Sequence, residues 1–342
     1  MSGGTAPGGP DPHDGTGART TRGRAGAVAV GRRTRSSRMA RREAIAAYVF
    51  ISPWIFGFLV FTAGPMIASL YFSFTDYNVL QPPNWVGLAN YSQIFSGDDL
   101  FRLALSNTVV YAVLYVPLHM IVALGLALLL NARVRGVPFW RTFFYIPSIT
   151  PVVATAILWR WILNPNGGAI NTVLALFGMQ GPGWTTDPHW AKPSLVLMAL
   201  WSVGSTMLIY IAGLKNIPRD LYEAADIDGA GPLARFFHVT LPMLSSVLFF
   251  TAVIGIINAL QIFTQAAILF EPIGGGGSTG VSGGPGNSAL FYIMYLFNQA
   301  FAYFRMGYAS ALAWILFVII FVFTAVQFWL SRRWVYYEGG QT

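Results

Sequence analysis

Cysteine is absent from the 342 residues. That excludes disulfides, thiol nucleophiles and thiolate metal sites, and it leaves the redox compartment unread. Charge is scarce as well: Asp, Glu, Lys and Arg make up 10% of the chain, against about a quarter in soluble domains. With 55% of the residues apolar, too few ions remain to hydrate a globular surface, and the composition is that of a membrane protein. Lysine is nearly missing, since 19 of the 21 basic residues are arginine. Neither Lys192 nor Lys215 follows a glycine-rich loop, so the G-x-x-x-x-G-K-[ST] pattern that cradles nucleotide phosphates does not occur. Within the long apolar runs there is no Asp, Glu or Lys, and a carboxylate proton relay has nothing to run on. His119 is the one residue deep in such a run that titrates near neutral pH. No Ser/His/Asp cluster, carboxylate pair or His-rich metal spacing accompanies it, so neither an enzyme nor a cofactor bound by this chain is expected.

What is present is apolar length. A bilayer-crossing helix takes about 20 mostly apolar residues, and six stretches qualify: Tyr48–Phe72, Thr108–Leu130, Phe143–Leu163, Ser194–Leu214, Leu244–Phe263 and Ala309–Ser331. The expected fold class is all-α, a polytopic membrane protein with six transmembrane helices. Several runs contain proline (Pro53, Pro65, Pro117, Pro147, Pro151), tolerated in spans and marking kinks. Trp85, Trp159, Trp161, Trp184 and Trp334 fall at run ends or in flanking loops, as interfacial belts do.

Basic residues set the orientation. With a cytoplasmic N-terminus, 17 of them lie inside, in 1–47, 131–142, 215–243 and after 331. Only Arg102, Arg160, Lys192 and Arg305 lie outside. Both termini are therefore expected in the cytoplasm, and the basic excess reads as an orientation signal, with no nucleic-acid partner. Residues 1–44, rich in Arg and Gly, read as a disordered cytoplasmic tail. Residues 45–335 read as the transmembrane domain, with 215–243 a cytoplasmic loop, and 336–342 as a C-terminal tail. Arg32-Arg33 before the first run resembles the start of an export signal, but the run is too long for one and reads as a signal anchor. On the outer side, 271–287 is expected to be mobile. The aromatic segment Ala289–Phe304 is expected to lie along the membrane face.

The loop 215–243 is the most structured in pattern. Asp220 followed by Glu223 looks like a capping box, Gly229 suits a helix end, and a two-turn helix Leu221–Asp228 follows. Leu221, Ala224 and Ala225 share one of its faces. Such a helix serves equally to dock a partner or to pack on its own membrane domain.

Glu223-Ala224-Ala225-x-x-Asp228-Gly229-Ala230, then Phe236-Phe237 and Leu241-Pro242, resembles the E-A-A loop of ABC importer permeases. Arg141–Pro147, Trp159-x-Trp161-x-x-Asn164-Pro165 and Phe304–Ala311 look like the carbohydrate-uptake branch of that family, the one that serves maltose, lactose and glycerol-phosphate. The resemblance covers about residues 45–335. It implies docking of an ATPase through Glu223, Ala224, Ala225, Asp228, Gly229 and Ala230. It also implies a second homologous permease, two ATP-binding-cassette subunits that use the ATP, an extracellular solute-binding protein delivering a sugar, and a bacterial cell membrane. Related branches for amino acids or metals share the loop, and an ion-coupled secondary carrier is the more distant alternative.

For a sugar path, amides, hydroxyls and aromatics on a helical face are needed. Asn258, Gln261 and Gln265 with Phe263 in the fifth run, and Ser202, Ser205, Thr206 and Tyr210 in the fourth, satisfy that pattern. The same residues could instead bridge helices within the bundle.

Overall fold

The computed structural model describes residues 38–132, 135–271 and 280–336. Residues 1–37 of the expected N-terminal tail, 337–342 of the expected C-terminal tail and 272–279 of the glycine-rich stretch lie outside the described residues. The chain divides into two compact units, residues 1–59 and 60–342.

In the first unit, helix α1 (Arg38–Phe58) carries Pro53 within it. It begins inside the segment expected to be tail, so residues 38–44 are helical; Arg38, Arg41, Arg42 and Glu43 simply extend an apolar helix with a polar first turn. Its apolar side chains are bare: Val49, Phe50, Trp54 and Phe56 are exposed. That is the condition of a surface made for lipid, not for water.

The second unit is built of helices α2 (Gly64–Phe72), α3 (Ala89–Gly97), α4 (Asp99–Asn131), α5 (Val137–Ile149), α6 (Val152–Ile162), α7 (Ala169–Leu176), α8 (Pro188–Leu200), α9 (Gly204–Asn216), α10 (Arg219–Ile227), α11 (Pro232–Arg235), α12 (Leu241–Met243), α13 (Ser245–Leu260), α14 (Thr264–Leu269), α15 (Tyr292–Phe297) and α16 (Met306–Ser331). Two short antiparallel strands, β1 (Thr75–Asp76) and β2 (Asn84–Trp85), are the strands among the described residues. Helical stretches Arg41–Phe72, Asp99–Asn131 and Met306–Ser331 are each long and apolar enough to cross a bilayer. Three bent pairs pass the same test together: α5 with α6 at 99°, α8 with α9 at 53°, and Pro232–Met243 with α13 at 66°. The third and fourth apolar runs are thus broken helices. Pro151 is the cause of the first break: it forces Thr150 into an extended conformation (φ −70°, ψ 135°).

Helix α4, roughly 50 Å long at 1.5 Å per residue, is the axis of the unit. Its buried side includes Ala104, Ala112, Ala123 and Ala127, small residues that let neighbouring helices approach closely. Asp98 starts it. One carboxylate oxygen accepts from the Phe101 amide at 2.9 Å, and the other accepts from the hydroxyls of Tyr295 and Tyr308. Burial, and then the bond to Asp98, push the Tyr295 phenol up, which keeps it a donor. Replacing Asp98 by alanine removes a cap and the acceptor of two hydroxyls, at an expected cost of about 3–5 kcal/mol. Thermal melting of the detergent-solubilised protein measures it, with Asp98→Asn falling between.

The first part of the aromatic segment 289–304, expected along the membrane face, packs into the core instead. Phe291 and Tyr292 are fully buried. The Tyr292 amide donates to Thr108 Oγ1 at 2.9 Å and its hydroxyl to the Leu312 carbonyl at 2.8 Å. Asn107 Nδ2 donates to the carbonyls of Asn287 and Leu290. With its backbone satisfied by side chains of α4, this part of the segment turns its rings into the core, while Phe301, Tyr303 and Phe304 further on are exposed. That core joins α4, α8 and α16 around Tyr111, Leu195, Phe291 and Leu312.

Candidate functional site

A cavity of about 440 Å³ opens inside the second unit, walled by four chain segments. Three of them are breaks. Ser148, Thr150 and Val152 come from the α5–α6 corner, Met198, Ala199 and Ser202 from the α8–α9 bend, and Asn258 to Gln265 from the gap between α13 and α14. Tyr111 and Tyr115 of α4 complete it with Thr155 of α6. Broken helices at such a place are expected on physical grounds, because irregular backbone survives at membrane depth only where it lines a cavity.

The amide triplet reaches the cavity by a route that helical spacing does not describe. Helix α13 ends at Leu260, Gln261 is its last cap, and Gln265 belongs to α14. All three amides nevertheless line the same space. None of the side chains of Asn258, Gln261, Gln265 and Ser202 has a hydrogen-bond partner among the described residues, whereas the hydroxyls of Ser148 and Thr150 are spent on Tyr145 and Ile146 carbonyls. The Tyr111 and Tyr115 rings stack at 5.4 Å and 4°. No Asp, Glu, Lys or Arg lines the cavity. Free neutral donors and acceptors beside flat rings suit an uncharged, many-hydroxyl ligand.

Other expected path residues go elsewhere. Phe263 turns to the Phe297 ring at 5.2 Å, because the chain has left helical geometry there (φ −143°, ψ −71°). Tyr210 is fully buried, with its hydroxyl 2.7 Å from Thr251 Oγ1, so it bridges helices. Ser205 is exposed outside the cavity. Thr206 lies in a smaller neighbouring cavity. Sequence reasoning missed Tyr111, Tyr115 and Thr155. The i, i+4 spacing puts the two tyrosines on one face of α4, but the same spacing serves a packed face as well as a cavity wall.

The loop expected to dock a partner is also explicit. Helix α10 starts at Arg219 with Pro218 as its cap and no side-chain capping bond. The expected capping box does not form: Asp220 falls in the first turn, where its charge meets the positive helix end instead. The other end agrees with expectation. Gly229 takes φ +72°, its amide donates to the Asp226 carbonyl at 3.1 Å, and the Ala230 amide donates to Ala225 at 2.9 Å. These two bonds make a Schellman ending. Arg235 pairs with Asp226, and the Tyr222 hydroxyl lies 3.0 Å from Thr240 Oγ1, so the helix is tied to the segment behind it. Glu223, Ala224 and Asp228 remain exposed, while Ala225 and Ala230 are half-buried. Ile227 and Leu233 are 87% and 75% exposed beside them.

A bundle of apolar, broken helices around a neutral polar cavity, with a braced helix projecting from the loop at one end, defines a membrane permease. Residues 120–336 match the family described as binding-protein-dependent transport system inner membrane component, and the chain belongs to it. It is 44% identical to the probable ABC transporter permease protein YesP of Bacillus subtilis over 307 residues, 89% of this chain and 96% of that one. It is 32% identical to the lactose transport system permease protein LacF of Rhizobium radiobacter, over 88% of this chain and 98% of the relative. The arabinooligosaccharides transport system permease protein AraP of Bacillus subtilis matches at 32%, over 84% and 88%. A chain from the crystal structure of a bacterial alginate ABC transporter, solved with its alginate pentasaccharide-bound periplasmic protein, superposes with a TM-score of 0.74 at 23% identity. It covers 85% of this chain and 96% of its own.

Proposed function

We propose that this chain is one permease subunit of an ATP-driven importer of saccharides, and that the 440 Å³ cavity holds the sugar in transit. The observation that carries the reading is the wall of that cavity: unpartnered amides of Asn258, Gln261 and Gln265 facing the stacked Tyr111 and Tyr115, with no ion among the lining residues. The lactose, arabinooligosaccharide and trehalose/maltose permeases among its relatives support the same substrate class. A zwitterionic amino acid or a metal ion needs charged or ligating side chains that this wall lacks. Belonging to a binding-protein-dependent family sets aside the ion-coupled carrier.

The remaining parts follow the same reading. The chain crosses a bacterial cell membrane six times with both termini cytoplasmic, each bent pair counted as one span, in accord with its basic residues. It pairs with a second homologous permease, and an extracellular binding protein delivers the ligand. Two ATPase subunits bind and hydrolyse ATP; this chain holds no cofactor. Glu223, Ala224, Ala225, Asp228, Gly229 and Ala230 form the contact with one ATPase, and Ile227 and Leu233 add apolar surface to it. Closure of the ATPase pair then moves α10 as a rigid body, and α9 and α13, which flank the loop, carry the movement to the cavity.

Alanine at Asn258 or at Gln261 is expected to lower saccharide uptake by about three- to tenfold, the worth of one neutral hydrogen bond. Expression and binding-protein-stimulated ATP hydrolysis stay near normal. Uptake unchanged in both variants would remove the cavity from the transport path.

A further inference from the structure

A second cavity of about 100 Å³ adjoins the first and shares Tyr115 and Asn258 with it. Its position along the path can be read from three helices at once. On α4 the order is Tyr111, Tyr115, His119, and the large cavity touches the first two while the small one touches the last two. On α13 the small cavity takes Phe250 to Asn258 and the large one begins at Asn258. In the bent pair, Met198 to Ser202 line the large cavity and Thr206 and Ile209 the small one. Each helix therefore places the small cavity nearer Asn131, Asn216 and Ser245, and the last two of these ends bound the α10 loop.

The polar groups of this space are arranged for a ligand. His119 Nε2 lies 3.1 Å from Thr206 Oγ1, while His119 Nδ1 is buried without a partner. The two tautomers differ in what they bury. With the proton on Nδ1, an N–H is sealed without an acceptor; with the proton on Nε2, only a lone pair is left over. Orphaned buried N–H groups are the rarer case. The proton therefore sits on Nε2, the imidazole donates to Thr206 Oγ1, and the threonine O–H is released to donate into the cavity. Thr251, also in the wall, is already engaged with Tyr210 and with the Val247 and Leu248 carbonyls. The Asn258 amide is unpartnered, and the His119 ring lies tilted by 53° beside Tyr115, with 5.1 Å between the ring centres. No ion lines the space.

We propose that this smaller cavity is a second saccharide station on the exit side of the first, where Thr206, held by His119, donates to a sugar oxygen as Asn258 and Tyr115 pass the ring from one cavity to the other. The proposal rests on the saccharide reading of the larger cavity.

The cysteine-free chain supplies the test. Ser202→Cys reports the larger cavity, Thr206→Cys the smaller, and Ser205→Cys, exposed and lining neither, serves as control. The assembled transporter in proteoliposomes is treated with a methanethiosulfonate reagent, with and without lactose, trehalose or arabinotriose. Protection of both Ser202→Cys and Thr206→Cys by one saccharide, with Ser205→Cys labelled equally throughout, is the expected result. Protection of Ser202→Cys alone overturns the second station and leaves the importer reading standing. Protection of all three, control included, is a global change of conformation and overturns the station too. Protection of neither cavity position by any of the three sugars overturns the saccharide reading and the station with it. Thr206→Val, nearly the same shape, is expected to raise KM for uptake of the protecting sugar about three- to tenfold, the range of one lost neutral hydrogen bond. An unaltered KM overturns the assignment of Thr206 as donor.

Discussion

Exchanging Gly204 for alanine is expected to destabilise the folded chain by about 2–3 kcal/mol, as overpacking of a closed contact does. The glycine opens α9 just after the bend at Trp201–Val203, and there α9 meets α5 with nothing between the backbones. A Cβ at this position falls 2.1 Å from the Phe144 carbonyl oxygen and 2.7 Å from Tyr145 Cα. The obstacle is main chain, so no rotamer relieves it, and α5 must move away. Helix α5 carries Ser148 at its end, with Thr150 next in the corner that walls the cavity. Packing and transport therefore fail together, and melting temperature and uptake fall in the same variant. Gly231→Ala is the control, since a Cβ there meets nothing within 4 Å and its φ is −69°. A Gly204→Ala protein that melts and transports like the parent would show that α5 has slack at this contact.

What the sequence made legible divides along physical lines. The amides Asn258, Gln261 and Gln265 stood out because an apolar run has no use for three of them unless they face something polar. They do line the cavity, though a chain break brings them together where a helical face was expected. Tyr111 and Tyr115 stayed hidden, since aromatic residues in an apolar run look the same whether they fill a core or wall a cavity. Tyr210 was misread for the opposite reason: its polar tip suggested a lining role, but Thr251, 41 residues away in sequence, satisfies it. Proline at 147 and 151 announced a kink, yet the 99° corner depends on how α5 and α6 each pack, which no local pattern holds. The C-terminal end of α10 was legible because a glycine after a helix has one stereochemical use. Its N-terminal end was not, because Pro218 starts the helix early enough to strand Asp220 inside it.

Placing valine at Gly229 is expected to cut saccharide uptake about tenfold or more, while the membrane domain folds and inserts as before. The residue is exposed, and a Cβ on it meets nothing within 4 Å, so steric crowding plays no part. The effect comes from φ alone. At +72° an L-residue pays roughly 1–2 kcal/mol, and a β-branched side chain is the least suited to that region. The cost is relieved by letting Gly229 return to negative φ. That breaks the bonds from Gly229 to Asp226 and from Ala230 to Ala225, and unwinds the last turn of α10, where Ala224 and Ala225 sit. In the coupling proposed above, a helix that frays at the ATPase contact transmits less of the movement, so ATP hydrolysis uncouples from uptake, or the ATPase is lost on purification. Asparagine, which tolerates the left-handed region, separates geometry from chemistry. Gly229→Asn should retain much of the uptake that Gly229→Val loses, although it is the larger change in polarity. Equal loss in both would place the role of Gly229 in close contact with the ATPase surface instead of in the helix ending. Normal uptake in Gly229→Val would mean that α10 does not carry the coupling.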